Sequence, residues 1–263
     1  MLLTGARFAA WLLGSTRPLT KPMNQIAEYI PIATAMFSVF FAVEIFAHYR
    51  ARRTNYLLWW TIGVVTFGLG TATESVNVLF GWSLVNFKIW YIVGALLGGF
   101  PLAQGTVYLL APKRFADATT WIFVLLILVA AICVVLSPIN LPENFNGKLS
   151  GSVFGWRWVR YFSPFINIYS FIFLVGGAIY SAWKYASMKD KQSRLIGNIF
   201  IAIGGILPGI GGSFTRAGYV NVLFVTELIG LALIYAGYRI IKADKTLGHI
   251  HYRQAFQMSS PRP

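Results

Sequence analysis

Apolar residues in this chain neither alternate with polar ones, as on a half-buried strand, nor keep to one stripe, as on a surface helix. They run on, broken by short polar gaps, over 29–49, 56–80, 87–110, 120–138, 162–183, 195–215 and 219–241. Each run is of the order of 20 residues, which at about 1.5 Å of rise per residue crosses a hydrocarbon core about 30 Å thick. Lipid offers no partner to a bare N–H or C=O, so each run must satisfy its backbone internally as helix. The pattern predicts an all-α, polytopic membrane protein with the lipid bilayer as its nearest partner. Seven transmembrane helices form a bundle over 29–241, after an N-terminal extension at 1–28 and before a short tail at 242–263.

Composition and charge add sidedness. Hydrophobic residues make up 57% of the chain and charged ones 11%, against about 25% charged in soluble domains. A formal net charge of +14 would suggest nucleic acid in a soluble protein. Here the Lys and Arg sit in the gaps between apolar runs, where they anchor to headgroups, so no nucleic-acid partner is expected. One side of the predicted topology holds eight of them, including Lys88, Lys148, Arg157, Arg160 and Arg216; the other holds fourteen, including Arg50, Arg52, Arg53, Lys184 and Arg194. The richer side is cytoplasmic by the positive-inside rule, which puts the amino terminus outside and the carboxyl terminus in the cytoplasm. Three of the eight precede Met23, in a segment that resembles a weak signal peptide or an upstream start, so Met1 and Met23 both stay open as the first residue. The single cysteine, Cys133, lies inside an apolar run and can build neither a disulfide framework nor a cysteine-ligated metal site within the chain.

Aromatic residues, 16% of the chain, gather at run ends, among them Tyr29, Tyr49, Tyr56, Trp60, Trp82 and Trp90. That is the pattern of an interfacial belt. The one long connection, 139–161, is external and ends in Trp156-Arg157-Trp158-Val159-Arg160-Tyr161. Trp156 and Trp158 are candidates for a lid over the outer mouth of the bundle, or for residues that snorkel along the headgroups.

Chemistry is sought among the buried acids, because an ionisable group inside a span costs about 2.5–3.5 kcal/mol on insertion scales and stays there for a reason. Glu44, Glu74 and Glu227 qualify. Counting from run ends puts Glu74 and Glu227 in one layer, roughly 9–12 Å beneath the outer boundary. Asn77, Asn167, Tyr169, Arg216 and Asn221 fall at or just above that depth. Together these seven are the candidate ligand-binding set, read against a structural alternative in which Arg216 neutralises an acid and the amides tie helices together. An acid pair in low dielectric would favour a cation or a bound proton. Glu44 stands four residues before His48, so the two should meet on one helix face near the cytoplasmic boundary, as an anchor or a proton relay.

The third and sixth runs carry Gly98-Gly99-Phe100-Pro101 and Gly204-Gly205-Ile206-Leu207-Pro208 near mid-membrane. A proline removes one helix hydrogen bond and glycines ease bending, so both runs should kink or break, with Pro101 and Pro208 as candidate hinges. Interruptions in matching positions of antiparallel halves also point to inverted-repeat transporters, while small residues equally serve close packing.

Several function classes are excluded. The last run has no lysine for a retinal Schiff base, and His48 is the sole histidine within a run, which excludes bis-histidine haem and histidine-rich zinc hydrolases. Ser213 has no histidine to act as its base. No catalytic residue, metal ligand set or specific cofactor is therefore assigned.

Over about 29–241 the chain resembles the seven-helix sensor regions of bacterial histidine kinases and diguanylate cyclases, in topology and in runs such as Asn55-Tyr56-Leu57-Leu58-Trp59-Trp60 and Phe224-Val225-Thr226-Glu227-Leu228-Ile229-Gly230. The tail is too short for the effector domain those regions feed. The resemblance implies a multi-pass module of a bacterial inner membrane that binds a small or lipophilic ligand in its outer half and signals through a partner protein. A small-solute or ion transporter hinged at Pro101 and Pro208, and a non-catalytic subunit of a larger membrane complex, are the alternatives.

Overall fold

A computed structural model describes residues 29–143, 145, 147–216 and 219–259, with the backbone alone at 216 and 245–259. The extension at 1–28, Met23 included, lies outside the described residues. Among the described residues seven helices are long and apolar enough to cross a membrane: α1 Ile30–Arg52, α2 Asn55–Phe80, α3 Leu84–Leu110, α4 Lys113–Leu136, α5 Arg157–Ala186, α6 Lys189–Thr215 and the Val220–Asp244 part of α7. In full, α7 runs Val220–Ser259, so the tail expected to follow the bundle continues its last helix.

Short turns force an up-and-down order. Between α1 and α2 stand only Arg53, left-handed at φ 52°, whose N–H bonds Tyr49 O at 2.6 Å, and Thr54, extended. Ser83 opens α3 by accepting a hydrogen bond from Asn86 N on its side-chain oxygen. The α4–α5 connection marks one end of the bundle, the loop end; the continuation of α7 marks the other, the tail end.

Packing closes α1, α2, α3, α5, α6 and α7 into a ring, with α4 leaning on α3 and α5 from outside. Mean hydropathy follows position, since peripheral α4 has the highest value, 2.9, and the smallest buried share of the seven. Large apolar side chains such as Met36, Leu125, Phe165 and Trp183 are exposed around the outside of the bundle.

The two glycine-proline segments behave differently. In α3 the chain opens from α-helix into a π-helical turn at Tyr91–Leu96, passes a break at 97–99, and restarts at Phe100, with Pro101 in a first turn where its missing N–H costs nothing. The carbonyl of Ala95 next to the break is taken up by Ser163 Oγ and Asn167 Nδ2, at 3.1 and 3.3 Å. Of the kink or break expected at Pro208, no break forms: Gln192–Arg216 is one uninterrupted helix with Pro208 inside it.

Three of its glycines pack against α7. Gly197, Gly204 and Gly211 recur every seven residues on α6 and face Gly237, Gly230 and Leu223 on α7. A seven-residue repeat keeps one seam facing the partner along the helix, and residues without side chains let the backbones approach. The Gly204 carbonyl, whose usual helical donor is the N–H that Pro208 lacks, abuts Gly230, where an added Cβ would stand 2.7 Å from it.

The α4–α5 connection folds back on itself through an Ile139–Phe154 bridge, with Asn140 N–H on Val153 O at 2.8 Å. It seats Phe154 on Phe87 and Tyr91, ring centroids 5.1 and 4.8 Å apart, and Phe145 on Trp82. Trp82, expected in the interfacial belt, is buried beneath it.

Candidate functional site

Two antiparallel helices touch where both carry glycine. A Cβ on Gly70 of α2 would meet Gly94 Cα of α3 at 3.2 Å, so the backbones are in close approach there. One turn from Gly70 towards the loop end stands Glu74, and one turn from Gly94 in the same direction stands Trp90. The indole N–H donates to Glu74 Oε1 at 3.1 Å. The π-helical turn that begins at Tyr91 widens α3 next to this contact, a distortion that recurs at functional sites.

Across from them α7 supplies Glu227, which lines the same cavity as Glu74, the two carboxyl groups near enough to interact electrostatically. Glu74 is buried at 5% exposure. Glu227 is only half-buried over its whole length, yet its Oε2, like that of Glu74, is enclosed and has no hydrogen-bond partner. Both acids line a cavity of about 410 Å³ between α2, α3, α5, α6 and α7, within the range of about 300–1,000 Å³ usual for small-molecule sites. Its walls are apolar at Phe67, Leu102, Leu223, Leu231 and Ile234, and bare at Gly205, Gly209 and Gly212. A second π-helical turn, Phe171–Gly176 of α5, lies along it, contributing Leu174 and Val175.

Of the seven residues expected to gather here, the structure brings together Glu74, Glu227 and Asn167. Asn167 lines the cavity while its amide holds the freed Ala95 carbonyl. Asn77 instead donates to Gly147 O at 3.2 Å and ties α2 to the connection. Tyr169 points to the other side of α5, donates to Gln104 Oε1 at 2.6 Å and packs on Phe123. Asn221 is exposed and stands apart from the lining. The Arg216 side chain lies outside the described residues. Trp156 and Trp158 stack on each other at 6.0 Å, half-exposed, in a connection that covers the loop end of α3 rather than the cavity.

Glu44 and His48 both turn to α7 for partners. Glu44 Oε2 accepts from Tyr235 at 2.8 Å and Arg239 at 3.3 Å, and its Oε1 accepts from Lys242 at 3.0 Å. His48 Nδ1 is 3.0 Å from the Tyr238 hydroxyl. This cluster ties α1 to α7 at the tail end. Beside it a second cavity, about 320 Å³, is lined by His48, Lys184, Arg194, Tyr238 and Lys242 and shares Leu174 with the first.

Trp90, the bare glycines and Leu174 had no place in the sequence reading of the site. A signal existed for the first: Gly70 with Glu74, and Trp90 with Gly94, are each four apart on neighbouring antiparallel helices, the spacing that puts acid and indole level with one another.

What the site offers chemically is two facing carboxyl groups, one indole donor and an apolar enclosure with room to spare. Two carboxyl groups brought together in an apolar enclosure favour one positive charge between them, a proton or a cation. No family model, curated protein or solved structure matches the chain.

Proposed function

We propose that this chain is a receptor-like module of a bacterial inner membrane, whose cavity binds a small positively charged ligand at Glu74 and Glu227 and which signals through a partner protein. The observation that carries the reading is the facing acid pair, with two enclosed oxygens lacking partners, inside a cavity large enough for a ligand. Lipid as solvent is supported by the apolar belt around the ring. The excess of Lys and Arg at the tail end makes that end cytoplasmic and the loop end external. Helix α7 then provides the output, since it carries Glu227 in the outer half and continues unbroken to Ser259. From Glu227 to Ser259 the helix rises about 48 Å, enough to carry a tilt or rotation from the acid pair to a cytoplasmic partner.

The test is thermal melting of the purified protein against methylammonium and tetramethylammonium. A ligand at about a hundred times its Kd stabilises by about 2.7 kcal/mol, which for a chain of this size raises the midpoint by about 5–10 °C. The rise should vanish in a variant carrying both Glu74→Gln and Glu227→Gln. A wild-type midpoint indifferent to both ions overturns the reading.

Transport is the second reading, favoured by Leu174. It lines both cavities, one lined by acids and the other by cations, and so stands where a path across the bundle would be closed.

A further inference from the structure

The cavity has an opening on its side. Towards the loop end, α5 contributes Asn167 and Phe171 to the lining, and α6 contributes Gly209 and Ser213; all four are exposed. Added Cβ atoms at Gly209 and Gly212 would meet nothing within 4 Å. Helix α6 packs on the Phe171–Gly176 and Gly177–Ala186 parts of α5, so the two helices separate above that contact. The residues flanking the gap are Ile168 and Ile172 on one side and Ile210 and Phe214 on the other, all large, apolar and exposed. In a bilayer, side chains of this kind face acyl chains. The gap thus opens towards lipid, at the depth where the acid pair lies.

We infer that the ligand is an amphiphile with an ammonium head and an alkyl tail, taken from the outer leaflet, its head between Glu74 and Glu227 and its tail leaving through the gap between α5 and α6. This deepens the proposed function and rests on it. Charge complementarity selects the head, because the enclosed carboxyl oxygens lack a donor that an ammonium N–H group would supply. The apolar walls and the lipid-facing mouth select the tail. A small hydrated ion would leave the bare glycine wall uncovered, whereas an alkyl chain crosses it on the way out.

The experiment uses the full chain in phosphatidylcholine nanodiscs and reads the melting midpoint against concentration for methylammonium and for octylammonium, which share a head and differ in tail. Gly209→Trp fills the gap where space is open. It should weaken octylammonium binding by about tenfold and methylammonium binding by much less. Ser213→Cys in a Cys133→Ala background, alkylated with a bulky maleimide after folding, places an obstruction at the same mouth without asking the chain to fold around it, and should act alike. If methylammonium binds but both obstructions leave octylammonium binding as in the wild type, the lateral route is wrong and the acid-pair reading survives. If neither amine binds the wild type, both fall. Adding phosphatidylethanolamine to the nanodiscs separates two sources of the same head: competition identifies the bilayer's own aminolipid as an occupant, and its absence identifies a free amphiphilic amine.

Discussion

Alanine at Gly230 puts the packing of α6 on α7 to a quantitative test. Its Cβ would stand 2.7 Å from Gly204 O and 3.1 and 3.3 Å from Pro208 Cδ and Cγ. These are backbone and ring atoms that cannot rotate away. Ordinary contact begins near 3.4 Å, so the helices must part by about 0.7 Å along that line, loosening a seam that runs from Gly197 to Gly211. Such overpacking costs about 1–3 kcal/mol. Alanine also gains about 1 kcal/mol over glycine in helix propensity, which would blur the result if Gly230→Ala were measured alone. Gly209→Ala supplies the reference, because it takes the same propensity gain on α6 with open space around the new methyl group. The difference between the two variants therefore isolates the clash. It should appear as a midpoint lower by about 2–12 °C for Gly230→Ala, read by tryptophan fluorescence on heating the purified protein. Equal midpoints would show that the seam tolerates separation, and the account of Gly230 as tightly packed on Gly204 and Pro208 would fail.

Two further outcomes are expected. Gln104→Leu removes a fully buried amide that donates to Ala116 O and Thr120 Oγ1 and accepts from Tyr169, so the abandoned partners should cost about 2–3 kcal/mol, visible as a lowered midpoint that Tyr169→Phe reproduces only in part. Leu174→Ala removes the side chain shared by the two cavities. Proteoliposomes holding it should pass methylammonium faster than wild-type ones, and equal flux would count against a path through the bundle.

The seven runs were legible because hydropathy at bilayer length is redundant: no single residue decides it. Boundaries were less so. Helix α4 begins at Lys113 rather than near 120 because its polar first turns are held by the bundle, with Gln104 bonding Ala116 and Thr120 and Tyr108 donating to Asp117. Depth could be counted, which is how Glu74 and Glu227 were put in one layer, but depth says nothing about azimuth. Asn77, Tyr169 and Asn221 count to that depth or just above it along the chain, yet face elsewhere. Glu44 and His48 share a face, as four-residue spacing requires, yet a neighbouring helix with Tyr235, Tyr238, Arg239 and Lys242 supplies partners for both. Pro101 and Pro208 sit in similar glycine-rich strings. What separates them is the seven-residue recurrence of glycine around the second, which a search for breakers overlooks and a search for seams would find.

The outlying position of α4 carries a consequence for how it is retained. Against acyl chains, a leucine or isoleucine gains nothing by touching protein instead, and α4 presents mostly such residues, Leu125, Leu128 and Ile132 among them, outward. What distinguishes the bundle from the surrounding oil, for this helix, is the polar knot around Gln104, Thr119 and Thr120 at one end and the grip of Lys88 on the Val135 and Ser137 carbonyls at the other. In a bilayer, lipid would compete with α3 and α5 between these two moorings, and a change in acyl chain length or order should be felt first there.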